Sequence, residues 1–187
     1  MKKNKNLNMS IHKLCLIGLM AALVFISTFF SIQIPIPGLN VMIHLGNVFC
    51  ILSALLLGPI SGGCAAGIGS FFYDLTNPLY ISSAPFTLIF KFIMGFICGK
   101  IAYNNKRNAE ILKYNIIGAS AGLLAYIILH LFKTFIKNLL LGVDLNLNLL
   151  LIGQSSLVSL FNAFLAIVIA IPLSAILKKA LNKSNLI

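Results

Sequence analysis

The sequence predicts an all-α integral membrane protein, a bundle of about six transmembrane helices with both termini in the cytoplasm. Three observations carry that prediction. Hydrophobic residues make up 59% of the chain and charged residues 9%, and the mean hydropathy is +1.01. A water-soluble domain cannot keep that balance without exposing large apolar patches. The apolar residues also gather into runs close to the ~20 residues that a spanning helix needs. Finally, 14 Lys and Arg face 3 acids, for a net charge of +11, and the basic residues sit between the apolar runs in a pattern that fixes orientation. On a soluble chain such an excess would suggest nucleic acid; here it marks cytoplasmic ends, so the expected partner is a lipid bilayer and not a nucleic acid.

The runs divide residues 1–187, read as one transmembrane domain, into six helices: Leu14 to Gln33, His44 to Leu57, Pro59 to Leu75, Pro85 to Tyr103, Tyr114 to Asn138 and Leu149 to Leu177. A basic N-terminus, residues 1–10 with Lys2, Lys3 and Lys5, precedes the first. That start resembles a signal peptide, but the run is long for an h-region and no clean small-x-small cleavage site follows, so it is read as a retained spanning helix. The second and third helices are short and meet at Gly58-Pro59-Ile60-Ser61-Gly62-Gly63, a tight helical hairpin at the inner face. The fifth and sixth are long enough to tilt or to project.

Orientation follows from charge. Lys100, Lys106, Arg107 and Lys113 surround the loop 104–113, and Lys178, Lys179 and Lys183 mark the tail 178–187. Both belong on the cytoplasmic side with the N-terminus. The outer loops, Ile34 to Ile43, Thr76 to Ala84 and Leu139 to Asn148, then contain no Lys or Arg. In the first of them, residues 34–43, Pro35 and Pro37 block helix, and the segment is apolar for an exposed loop. A lid over a pocket would have that character, as would a loop resting in the interface.

Small residues recur at helical spacing, which in lipid lets backbones approach closely. Gly62, Ala66 and Ser70, Gly63 and Gly67, and Gly95 and Gly99 are read as packing faces inside the bundle. Gly18 and Ala22 on the first helix could equally form a docking surface for another protein. Cys15, Cys50, Cys64 and Cys98 all fall in apolar runs with no CxxC pair and no His at ligand spacing, so they read as small core residues, and no metal site or cofactor is expected.

Charges inside hydrocarbon are costly, which makes Asp74 and Lys91 candidates for function. Lys91 lies about six residues, or roughly 9 Å, below the start of its helix, at a depth overlapping that of Asp74. The two could simply pair to fix helix register. On the fifth helix Tyr126, His130, Lys133 and Lys137 fall within about 60° of one another and share a face. Gln154, Ser155, Ser159 and Asn162 bring uncharged hydrogen-bonding groups to similar depth on the sixth, and Asn40, His44 and Asn47 lie in or beside the first outer loop. Polar groups from several helices thus converge on the outer half, a pocket open to the outside rather than a pore. No catalytic set is present: HExxH, GxSxG and Walker motifs are missing, and three acids leave little room for acid-base chemistry. The chain is not read as an enzyme and cannot itself hydrolyse ATP.

The run His44-Leu45-Gly46-Asn47, the turn Ala54-Leu55-Leu56-Leu57-Gly58-Pro59, Gly67-Ile68-Gly69-Ser70 leading to Asp74, and Ala84-Pro85-Phe86-Thr87-Leu88-Ile89-Phe90-Lys91 followed by Gly95 resemble the substrate-binding (S) components of energy-coupling factor (ECF) transporters, in the riboflavin-transporter-like branch. The resemblance is most specific from His44 to Tyr103 and only architectural over the last two helices. It implies a bacterial plasma-membrane subunit that binds a vitamin outside the cell and works with a coupling transmembrane subunit and two cytoplasmic ATPases. The vitamin could be riboflavin-like or of pyridoxine or pyrimidine type. The candidate substrate-binding residues among the polar groups above are Asn40, His44, Asn47, Asp74, Lys91, His130, Lys133 and Asn162. The region of Gly18, Ala21 and Ala22 is similar to the family's Ala-x-x-x-Ala docking face, with Gly18 in place of one alanine and Phe25 after Ala21. The alternative from another class is a non-transporting membrane scaffold whose buried charges only set register.

Overall fold

The computed structural model describes residues 11–36 and 38–183. Six helices run in the order α1 (Ile11–Phe29), α2 (Gly46–Leu57), α3 (Pro59–Thr76), α4 (Ala84–Tyr103), α5 (Leu112–Leu140) and α6 (Leu145–Lys183), and two strands, β1 (Ser31–Ile36) and β2 (Leu39–His44), connect α1 to α2. Lys2, Lys3 and Lys5, Pro37 and residues 184–187 lie outside the described residues.

The bundle is helical, as an all-α fold requires, and the first outer segment adds one local exception to it. It is an antiparallel hairpin, with Ser31 opposite His44 and Ile36 opposite Leu39. Proline does block helix there, but the pair has no further strand on either side, so Pro35 removes a donor only where the sheet can spare one. Gly38, at φ +79°, supplies the left-handed residue of the turn. The hairpin takes residues assigned to helices at both of its ends: α1 stops at Phe29 rather than Gln33, and His44 closes β2 rather than opening α2.

Helix α2 is the centre of the bundle. Ten of its residues, Gly46 to Val48 and Cys50 to Leu56, are buried, and it packs against α1, α3, α4 and α6. A helix apolar on every side is buried on every side, and one that never meets lipid need not be 20 residues long. Gly58, at φ +80°, is the sole residue between α2 and α3, and Pro59 opens α3 at the position where a missing N–H costs nothing. Four segments are long and apolar enough to cross a membrane: α1, Ile81–Lys106, α5 and Leu145–Leu181. Helix α6 has 39 residues, or about 58 Å at the standard rise, and it extends past the predicted run at both ends.

Small residues set the seams between helices. A Cβ on Gly67 would come 2.7 Å from Leu88 O and one on Gly63 2.9 Å from Phe92 O, so α3 and α4 touch through backbone. Gly95 faces Gly63 across the same seam, and a Cβ on Gly118 would meet Cys98 O at 2.7 Å between α5 and α4. The lipid-side surface carries exposed Leu19, Ile26, Phe132, Leu157 and Phe164. Cys50 and Cys98 are core residues, whereas Cys15 is exposed on α1 and Cys64 only half-buried.

Candidate functional site

At the end of the bundle that carries the hairpin lies a cavity of about 170 Å³ with walls from the hairpin and all six helices. Asn40, His44, Asn47, Asp74, Lys91, His130, Lys133 and Asn162 all line it. The topology produces this convergence. Even-numbered helices begin at this end and odd-numbered ones finish there, so residues late in α3 and α5 meet residues early in α2, α4 and α6.

Lys91 is 3% exposed and Asp74 6%, yet the lysine's short-range partners are neutral. Its Nζ donates to Asn47 Oδ1 and sits 3.9 Å from the centroid of the Tyr126 ring. A buried ammonium needs such compensation, and an amide oxygen together with an aromatic face supplies it. Asp74 is engaged with the Thr87 hydroxyl one helix away. Tyr126 in turn stacks on His130, at 5.8 Å between ring centroids. Lys133 reaches the mouth, where Nζ donates to Ser83 Oγ at 2.8 Å, and Lys137 is exposed one turn further along α5.

The hairpin is fastened over this space at three points. Asn162 on α6 accepts the His44 N–H at Oδ1, 3.0 Å, and donates from Nδ2 to Met42 O, 2.8 Å. Asn40 Nδ2 donates to Leu79 O at 3.4 Å, and Tyr80 Oη donates to Gln33 Oε1 at 3.1 Å. Asn162 and Asn40 therefore act on the hairpin as well as lining the cavity. His44, which lies outside the spanning helices, accepts the Gly46 N–H at Nδ1, 3.0 Å, at the start of α2. Burial, then the charges of Lys91 and His130, lower its pKa from 6.5 to about 3, so the imidazole is neutral with its proton on Nε2.

Other side chains fall elsewhere. Gln154 is exposed and does not line the cavity. Asp144 caps α6, with Oδ2 accepting the N–H groups of Asn146 and Leu147 at 2.9 and 3.4 Å. Asn148, fully buried, was not anticipated; it accepts from Asn138 and donates to Phe135 O, joining α5 to α6 beside the cavity. Among the described residues, no three His, Cys, Asp or Glu side chains gather as a metal site. On α1, Gly18 and Ala22 are exposed, and nothing approaches Gly18 within 4 Å. Ala21, grouped with them in the expected docking face, is buried, with its carbonyl against Gly69 of α3.

The cavity thus sits at one end of a helical bundle, beneath a hairpin. The family model described as ECF-type riboflavin transporter, S component, matches residues 8–179. The chain belongs to this family. That family is one of transporter S components rather than of enzymes, and the four long apolar segments of this chain fit a multi-pass membrane protein. An uncharacterized protein in the gap 3′ region of Pyrococcus woesei is 33% identical over 96 residues, which cover 51% of this chain and 64% of that relative. The match thus spans just under two thirds of the relative. No solved structure matches.

Proposed function

We propose that this S component binds a vitamin or related micronutrient on the outer side of a bacterial plasma membrane, in the cavity beneath the hairpin, and delivers it through a coupling transmembrane subunit driven by two cytoplasmic ATPases. The convergence of the eight named polar residues on one cavity supports this reading. Six spanning helices with both termini inside fit it as well. Lys13, Lys100, Lys106, Arg107, Lys113, Lys178, Lys179 and Lys183 fall at helix ends or loops opposite the cavity, and basic ends face the cytoplasm. The cavity then faces outward, as uptake requires. Lys91, Asn47 and Asp74 form its floor, Lys133 and His130 one wall, and the hairpin its cover.

Equilibrium binding to detergent-solubilised protein tests the reading. One vitamin-like ligand should bind with micromolar or tighter affinity, and Lys91→Ala or Asp74→Ala should weaken it by more than about tenfold, ~1.4 kcal/mol. Unchanged affinity in both variants would remove the floor residues from the site. Co-purification separates the scaffold alternative: a persistent partner other than a coupling subunit and ATPase pair, with no ligand found in a vitamin screen, would replace transport with assembly.

A further inference from the structure

The charge of the cavity wall is not balanced. Lys91, Lys133 and Lys137 line it, against Asp74 as the single acid. The other described acids are engaged elsewhere, Asp144 at the N-terminus of α6 and Glu110 in the connection between α4 and α5 at the opposite end. Lys133 has a neutral hydroxyl as its hydrogen-bond partner, and Lys91 has an amide oxygen and an aromatic ring. Three lysines against one carboxylate leave the wall with a net excess of two positive charges, and their mutual repulsion is a cost that an anion entering between them would remove.

A second feature points to the same occupant. Ser155, early in α6, is 1% exposed and lines the cavity, and its Oγ is buried with no hydrogen-bond partner. A buried hydroxyl left unpaired costs about 1 to 3 kcal/mol, and a native fold keeps one where something else completes the bond. Serine can donate to an anionic oxygen, as the lysines can.

We propose that the ligand of this cavity carries a net negative charge, as a carboxylate or a phosphate monoester, that Lys133 and Lys137 neutralise it at the mouth, and that Ser155 donates a hydrogen bond to the same ligand. The inference rests on the binding role proposed above and names the class of molecule bound. A neutral vitamin would fill the space and leave both the charge and the hydroxyl unanswered.

The test uses matched pairs that differ only in charge: riboflavin and riboflavin 5′-phosphate, pyridoxine and pyridoxine 5′-phosphate, nicotinamide and nicotinate. Single-ring pairs are included because the cavity, at about 170 Å³, is smaller than the roughly 300 to 1,000 Å³ usual for small-molecule sites. Equilibrium dialysis against the full-length protein in detergent should show the anionic member of at least one pair binding about tenfold or more tighter than its neutral partner. That preference should shrink as sodium chloride rises from about 50 to about 500 mM. It should also vanish in the Lys133→Gln/Lys137→Gln double variant, whose affinity for the anionic member should fall at least about tenfold more than its affinity for the neutral one. Ser155→Ala should weaken the anion several-fold. Neutral members binding as tightly as the charged ones in every pair that binds would overturn the anionic class and leave vitamin capture standing. A charge preference that survives the double variant would overturn the assignment to Lys133 and Lys137. Failure of all six compounds to bind folded protein would overturn capture and charge class together.

Discussion

Asn162 and His44 lie 118 residues apart, and the Asn162 side chain accepts the His44 backbone N–H at 3.0 Å. Because the same amide donates to Met42 O, one residue of α6 holds two consecutive backbone sites on the inner edge of β2. Asn162→Leu keeps the volume and removes both bonds. Buried bonds of this kind are worth about 1 kcal/mol each, more where a partner is left unsatisfied, so the hairpin should detach more often. Ligand dissociation should accelerate by about tenfold, with little change in the association rate. Asn162→Asp, which keeps the acceptor for His44 and loses the donor to Met42, should fall between. Stopped-flow dissociation rates check this, and an unchanged rate in Asn162→Leu would mean that the hairpin is held elsewhere.

The pairing of Lys91 with Asn47 and Tyr126 predicts a split between two conservative variants. Lys91→Met retains the stem, loses the charge and strands Asn47 Oδ1, whereas Tyr126→Phe keeps the aromatic face beneath the ammonium. Ligand affinity should drop more than about tenfold in the first and less than about threefold in the second. Equal losses would show that the tyrosine hydroxyl, rather than its ring, matters to the site.

Much of this cavity's lining is legible in the sequence. Charges and amides inside apolar runs have few physical excuses, and their positions along six alternating helices already placed them at one end. What could not be read was how they are partnered. The sequence allowed Lys91 to pair with Asp74, but which side chain lies nearest depends on helix rotation of a few tens of degrees, and that is set by the glycine seams. The hairpin was hidden for a different reason. Ile32, Ile34 and Ile36 do alternate strictly with Ser31, Gln33 and Pro35, as in a strand, but Pro35 and Pro37 make the same run read as an irregular loop. Asn148 was missed because a single asparagine near a helix start reads as a surface residue.

The glycine seams give a stability prediction. Gly67→Ala should lower the thermal midpoint of the solubilised protein by several degrees, because its Cβ would come 2.7 Å from the Leu88 carbonyl and helices α3 and α4 must separate. Gly18→Ala, with nothing within 4 Å, should leave the midpoint unchanged or raise it slightly. Equal shifts would mean that the seam yields without cost.

On α1 the structure separates neighbouring alanines. Ala22→Phe adds bulk to an exposed face and should preserve ligand affinity while abolishing uptake into cells that express the whole transporter, as expected of a docking surface. Ala21→Phe forces a ring into a buried position and should lose stability and binding together. If Ala22→Phe transports normally, coupling uses another face.

His44 makes the hairpin sensitive to acid. Its imidazole is neutral in the folded protein, with a pKa lowered from 6.5 to about 3 by burial first and by nearby charge second. An unfolded chain therefore takes up a proton at this residue that the folded chain refuses, and stability present above pH 6.5 is lost progressively as pH falls toward the folded value. The structural event is specific: a proton on Nδ1 ejects the Gly46 N–H that it now accepts and frees the start of α2. The thermal midpoint should fall between pH 7 and pH 5. His44→Asn places an amide oxygen where Nδ1 stood and cannot titrate, so it should keep the midpoint at pH 7 and flatten the decline below it. A decline of equal slope in the variant would assign the acid sensitivity to other groups, with His44 serving only as a cap for α2.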